Sequence, residues 1–357
     1  MPSRLQYDRT LCTTVLVLAF FGLLMVFSVT TAEANSFGFV VRQGIAVLIG
    51  LAAMRFLMFR DYHDWRNPTT VNAVVGGVII LLLLTLAIGT GAGTSRFLRF
   101  GYLSLQPSEL SKLALILFLA YFLESRKGKL DSPRTLAGGI LVLGVFCVLI
   151  LGGRDLGTAV AVVVIAAAIF WTAGVPTRYF AVGGVAFAGF FALAVAIDPF
   201  RIKRLLIFLN PESDPQGGGF QIIQSKIAVG SGGWFGQGLM LGRQKMRFLP
   251  EAHTDFIFGV VAEELGLIGS LLVVLAFALI LWRGLRAARR APDDFGCYLA
   301  TGATAMIVCQ AMINIGVVLG MLPTKGMPLP FISYGGSSMI ASLAAAGLLL
   351  NVSQRAQ

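Results

Sequence analysis

The chain has 357 residues, of which 57% are hydrophobic and only 13% charged, and its formal net charge is +11. A soluble domain is about a quarter charged, so this composition excludes one and points to repeated membrane-spanning helices. The basic residues are scattered over short connections, which excludes a nucleic-acid-binding domain and leaves anionic membrane lipids and a phosphorylated substrate as partners for the positive charge.

Ten apolar runs predict helices, near 11–32, 37–58, 72–91, 107–123, 135–152, 155–174, 179–198, 255–282, 296–320 and 335–352. No strand alternation of barrel type is present, so the expected class is an all-α polytopic membrane protein with a single domain over 1–357. The first run follows Arg4 and Arg9, and an Ala-Glu-Ala at 32–34 imitates a signal-peptidase site. Its apolar stretch of about twenty residues is longer than a signal peptide's, so it reads as an uncleaved helix. With the N-terminus inside, the inner connections hold 15 Lys and Arg and the short outer ones hold 4. That bias places both termini in the cytoplasm and segment 199–254 outside. The outer segment contains two amphipathic stretches, "FRIKRLLIFLN" (200–210) and "FQIIQSKIAVG" (220–230), joined by the turn-forming "NPESDPQGGG". It serves either as a folded cap over the bundle or as a contact for substrate or partner. Cys12, Cys147, Cys297 and Cys309 all fall in apolar runs without metal or pairing spacing.

Charges within membrane spans are costly, about 2.5–3.5 kcal/mol each on insertion scales, and mark function or pairing. Arg42, Glu109, Lys112, Asp155, Asp255 and Lys325 all fall near the outer ends of their runs. Each has a plainer role open to it. Glu109 and Lys112 are three apart and can pair on one helix face. Asp155 can be a helix N-terminal charge, and Arg42 a counter-ion. Glu263 and Glu264 lie about 12 Å or more below Asp255 at 1.5 Å per residue, too deep for surface chemistry, and read as structural polar groups that pair with interior cations. His253 has no second histidine beside it, so a histidine metal site is not expected. "GMLPTKGMPLPFISYGGSS" (320–338), with Ser333, Tyr334 and Gly335, cannot form continuous helix and either lines the same outer cavity or simply links two helices.

"QPSELSK", "RDLGTA", "NPESDP", "IIQSKIAVGSGG", "FLPEAHTDFIF", "AEELG" and "LPFISYGGSS" occur in this order along the chain. Together they resemble the SEDS family (shape, elongation, division and sporulation). The resemblance implies a ten-helix peptidoglycan glycosyltransferase of the bacterial cytoplasmic membrane. Such enzymes polymerise lipid II, a disaccharide-peptide on undecaprenyl pyrophosphate, beside a class B penicillin-binding protein. "NPESDP" and "GMPLPFISYGG" resemble the RodA-like elongation branch, which we favour. "GRQKMRFLPEAHTDF" and "LPTKG" resemble the FtsW-like division branch. One departure stands at Gly153-Arg154, where the family usually has Gln-Pro before the aspartate.

A sugar hydroxyl needs a general base, and a pyrophosphate leaving group needs cations rather than a second carboxylic acid. The family's essential aspartate maps onto Asp255, which the resemblance makes the base. Arg42, Lys112, Lys325 and Arg243 are the expected pyrophosphate holders, with Glu251 and His253 shaping the approach. No cofactor is required, but a divalent cation (Mg or Mn) on Glu109 or Asp155 could share the charge. A lipid II flippase would instead carry polar sites at the midplane, and a non-catalytic scaffold for the penicillin-binding protein would tolerate loss of Asp255.

Overall fold

The computed structural model describes residues 7–31, 36–90, 95–100, 103–246, 248–324 and 326–355. Among these residues there are twelve α-helices and one small hairpin. In chain order they are α1 (Arg9–Thr30), α2 (Ser36–Phe59), α3 (Pro68–Ile88), β1 (Leu98–Phe100), β2 (Leu103–Leu105), α4 (Pro107–Glu124), α5 (Pro133–Gly152), α6 (Leu156–Thr172), α7 (Thr177–Ala196), α8 (Pro199–Leu209), α9 (Phe220–Ser231), α10 (Ile257–Arg290), α11 (Asp294–Val318) and α12 (Gly336–Ser353). Ten of the helices match the ten apolar runs, and α8 and α9 match the two amphipathic stretches. Seven helices are long and apolar enough to cross a membrane, and α6 and α7 are shorter apolar helices.

The helices start where local chemistry tells them to. Asp8, Asn67, Asp155 and Asp293 cap α1, α3, α6 and α11, each accepting a backbone N–H two or three residues on. Pro68, Pro107 and Pro133 sit in the first turns of α3, α4 and α5, where a missing N–H costs nothing. β1 and β2 pair antiparallel, with Leu98 opposite Leu105. Their hairpin is tied to the first turn of α12, because Ser337 Oγ donates to Ser104 O (2.9 Å) and accepts from Gln106 N (2.9 Å).

α11 and α12 are the most buried helices and form the centre. α7 is the opposite: none of its described side chains is buried, and its main neighbour is α8.

α10 is not one straight helix. Gly266 has φ 67° and ψ −163°, a break within the run 257–290. A Cβ there would lie 2.4 Å from Gly236 N, and one on Gly236 (φ 80°) would lie 2.1 Å from Glu264 O, so both positions require glycine. The chain after α9 packs into this break: Gln237 N and Gly238 N donate to the carbonyls of Glu263 and Glu264, and Leu267 N donates to Gly233 O.

Candidate functional site

A cavity of about 1490 Å³ lies where the hairpin, the starts of α6, α10 and α12, α8 and the 320–338 connection converge. Arg42, Arg96, Arg154, Arg201 and Arg204 line it, as do Asp155, Asp198, Glu251 and Asp255. The five cations outnumber the four carboxylates, and Arg201 pairs with Asp198 (3.3 Å) within the set.

Asp255 sits half-buried just ahead of α10. Its position is set from behind: Asn314 Nδ2 on α11 donates both to Asp255 O (2.8 Å) and to Met327 O (2.7 Å). Asn314 is 1% exposed, and its Oδ1 has no partner among the described residues. Ser333 Oγ donates to Thr254 O and accepts from Leu329 N (2.7 Å), which joins the same two segments again. The Asp255 carboxylate itself accepts no hydrogen bond from the described residues. Burial, with the Glu251 carboxylate adding to it and Arg96 opposing it, pushes Asp255 up to about 7. Gly326 packs against it: a Cβ there would stand 3.2 Å from Asp255 Oδ2 and 3.7 Å from Arg96 Nη1. Arg204 is pulled below its ordinary value by burial and then by the like charge of Arg96.

Arg96 is aimed by the turn before α6. Its Nε donates to Gly153 O (3.4 Å), and its Nη2 donates to Arg154 O. Arg154 has φ 63°, which a proline, locked near −65°, cannot adopt. The Gly153-Arg154 departure therefore carries a backbone conformation closed to the family's usual Gln-Pro, and it provides the carbonyls that hold Arg96.

The other predicted residues separate clearly. Arg42, Asp155, Tyr334 and Gly335 line the cavity. Asp155 is 2% exposed and caps α6. Its Oδ2 accepts from Thr158 Oγ1 (2.8 Å), Gln106 Nε2 (3.0 Å) and Ser108 Oγ (3.2 Å), and its Oδ1 from Thr158 N (3.1 Å). Lys112 and Glu109 correct the expectation of substrate contact: both are buried away from the cavity lining. Lys112 Nζ donates to both Glu109 oxygens (2.9 Å each) and to Gln310 Oε1 (2.6 Å). Gln310 Nε2 then reaches Pro328 O (2.9 Å) and Ser338 Oγ (3.2 Å). The pair is a brace for the 320–338 connection. Glu109 and Asp155 are both engaged by protein donors. The described residues hold no group of three or more His, Cys, Asp or Glu that could bind a metal.

Arg243 is exposed and outside the cavity lining, and its backbone N donates to Glu263 Oε1 (2.8 Å). His253 is also outside the lining. Its ring meets Phe39 and Tyr334 at 5.3 and 5.7 Å, and its carbonyl accepts from Tyr334 N (2.9 Å), so it orients Tyr334. Ser333 is 3% exposed and spent on backbone. Lys325 lies outside the described residues. Glu264 pairs with Lys245 (2.8 Å) and Ser28 (2.7 Å), while Glu263 holds the backbone N–H groups of 243 and 244 instead of a cation. The sequence reading missed Arg96, Arg154, Arg201 and Arg204 as cavity residues. Only Arg201 and Arg204 left a signal, being three apart on one amphipathic helix.

The profile of the "Cell cycle protein" family (FtsW/RodA/SpoVE) matches residues 8–357. The chain belongs to this family. It is 44% identical to a "Probable peptidoglycan glycosyltransferase FtsW" of Geobacter metallireducens, over 98% of this chain and 95% of the relative. It is 43% identical to the stage V sporulation protein E of Bacillus subtilis, over 97% of each. Among solved structures, RodA of Thermus thermophilus matches over 100% of both chains with a TM-score of 0.74 and 29% identity. A chain from a peptidoglycan synthase complex that coordinates polymerization and crosslinking matches over 98% of both with a TM-score of 0.81 and 32% identity. This SEDS protein is a multi-pass membrane protein and a peptidoglycan glycosyltransferase. The specific preference for the RodA-like branch does not gain from these relatives, whose names at the higher identities are those of division and sporulation proteins.

Proposed function

We propose that the enzyme polymerises lipid II at the outer face of the bacterial cytoplasmic membrane, with Asp255 as general base. Asp255 takes the proton from the 4-hydroxyl of the acceptor GlcNAc. That oxygen forms a bond to the anomeric carbon of the donor MurNAc, with inversion. The bond from that carbon to the undecaprenyl pyrophosphate breaks, and its electron pair leaves with the pyrophosphate. Arg42, Arg96, Arg201 and Arg204 neutralise the departing charge, which removes the need for an acid. The observation that carries this reading is a carboxylate with no donor among the described residues, raised to about 7, on the wall of an arginine-lined cavity. A base near the working pH transfers protons best.

The sidedness rests on the Lys/Arg bias, which puts the cavity outside and both termini in the cytoplasm. The setting we propose is division rather than elongation, because FtsW-named relatives reach 44% identity while the RodA structure stands at 29%. The partner we propose is a class B penicillin-binding protein, in keeping with the similarity to a chain of a complex that couples polymerization to crosslinking.

The test is lipid II polymerisation by the purified protein with its cognate penicillin-binding protein, comparing wild type with Asp255→Asn after both are shown to fold and bind the partner. Glycan strands from wild type and none from the variant support the base. Equal polymer from both removes Asp255 from that role.

A further inference from the structure

The end of α10 farthest from Asp255 carries a second concave site. Trp282, Leu285, Arg286, Arg289 and Arg290 line an open surface pocket of about 270 Å³ with no carboxylate in its wall. Their spacing puts them along one helix stripe. Trp282, Leu285 and the three arginines are all exposed, and the arginines make no ion pair or hydrogen bond with the described residues. Several other basic residues at this end of the bundle are ion-paired. Arg60 pairs with Asp64 (3.0 Å), Arg66 with Glu124 (2.9 Å), and Arg355 with Asp61 (2.6 Å). Arg283, on the adjoining face of α10, is turned to Asp8 (3.3 Å) and Thr10 (2.9 Å) on α1.

The stripe is ordered along the helix axis. From the Gly266 break to Trp282 is about 24 Å at 1.5 Å per residue, against a hydrocarbon thickness of about 30 Å. Trp282 and Leu285 stand at the end of the apolar run of α10, and the three guanidinium groups follow beyond it. The last helix carbonyls favour cations here, but three uncompensated guanidinium groups within one turn and a half still repel each other and call for an anion.

We propose that this pocket binds the headgroup of an anionic phospholipid. Its phosphate diester accepts from Arg286, Arg289 and Arg290, and an acyl chain lies along Trp282 and Leu285. The apolar half is what favours a phospholipid over free phosphate, which would use the guanidinium groups alone.

The experiment is native mass spectrometry of the full chain in mild detergent, with added phosphatidylglycerol, phosphatidylcholine or inorganic phosphate. The expected result is that phosphatidylglycerol is retained and phosphatidylcholine is washed out. Arg286→Ala/Arg289→Ala/Arg290→Ala should weaken retention on the order of a hundredfold, at the usual worth of a basic residue beside an anionic surface. Arg60→Ala/Arg66→Ala, which removes the same kind of charge from paired sites, should retain the lipid as wild type does. Trp282→Ala keeps every charge and should lower retention several-fold. Equal retention of the two lipids, or unchanged retention in the triple variant, overturns the proposal. Displacement of the lipid by equimolar inorganic phosphate, or unchanged retention in Trp282→Ala, assigns the pocket to free phosphate and overturns the lipid reading.

Discussion

The base proposed for Asp255 acts only when deprotonated, so a value near 7 predicts where activity is lost. Below that pH the carboxylate fraction, and with it kcat/KM, should fall about tenfold per unit; above it the rate should level off. An ordinary aspartate would place this fall near 4. Because Arg96 opposes the shift, Arg96→Ala should move the inflection up; because Glu251 adds to it, Glu251→Gln should move it down. Polymerisation rates across pH for the three proteins check this, and an inflection that ignores both substitutions would remove the carboxylate from the rate law. Asn314 is a second residue-scale case. Both of its amide donations go to carbonyls, of Asp255 and Met327. Asn314→Asp puts an acceptor against two acceptors and should lower stability by about 1–3 kcal/mol. Lower activity at full occupancy of folded protein, measured beside thermal unfolding, would separate positioning from stability. Asp255, Asp155 and Tyr334 were legible in the sequence because each stands next to a helix start with turn chemistry, and Arg42 because it is a charge inside an apolar run. Arg96 and Arg154 were not, because their place depends on a left-handed turn that no local pattern announces. Lys112 was read at the right height but on the wrong face, since only packing decides that its ammonium points to Gln310.

At the scale of elements, the Glu109–Lys112 pair joins α4 to α11 and, through Gln310, to the 320–338 connection. Both charges are out of water, with Lys112 0% and Glu109 2% exposed. Removing one partner of a buried pair leaves an unpaired charge and costs about 3–5 kcal/mol, whereas replacing both by apolar groups is often near neutral. Lys112→Met should therefore unfold the protein well below wild type, and Lys112→Met/Glu109→Leu should recover much of the loss. Unfolding curves in one detergent check this, and additive losses would mean that the two residues do not act as a pair. The ten spans and both amphipathic helices were legible because apolar run length and helical period are local properties. The Gly266 break was not, because "AEELGLIG" reads as continuous helix. What forces the break is the segment from Gly233 to Gly238, brought against it from about thirty residues upstream by the fold.

For the whole molecule, charge asymmetry predicts the orientation, and the proposed chemistry depends on that orientation for its side. Fifteen Lys and Arg on one set of connections against four on the other predicts that the cavity faces outward, where a lipid-linked disaccharide already exported would meet it. The turn between α8 and α9 belongs to the cavity side, and the turn after α4 to the other. Glu212 is exposed in the first and Lys127 in the second. In a chain whose four cysteines are replaced by alanine or serine, Glu212→Cys should react with a membrane-impermeant maleimide in intact cells. Lys127→Cys should react only after the membrane is opened. The reverse labelling would put Asp255 on the cytoplasmic face, and an outward-facing polymerase would then be impossible for this fold. Labelling of both sites in intact cells would show a leaky preparation, which a cytoplasmic control protein carrying one cysteine detects in the same sample. The expected pattern places the five arginines and Asp255 at the outer leaflet, where the proposed leaving group, the lipid with its pyrophosphate still attached, remains after the sugar is transferred.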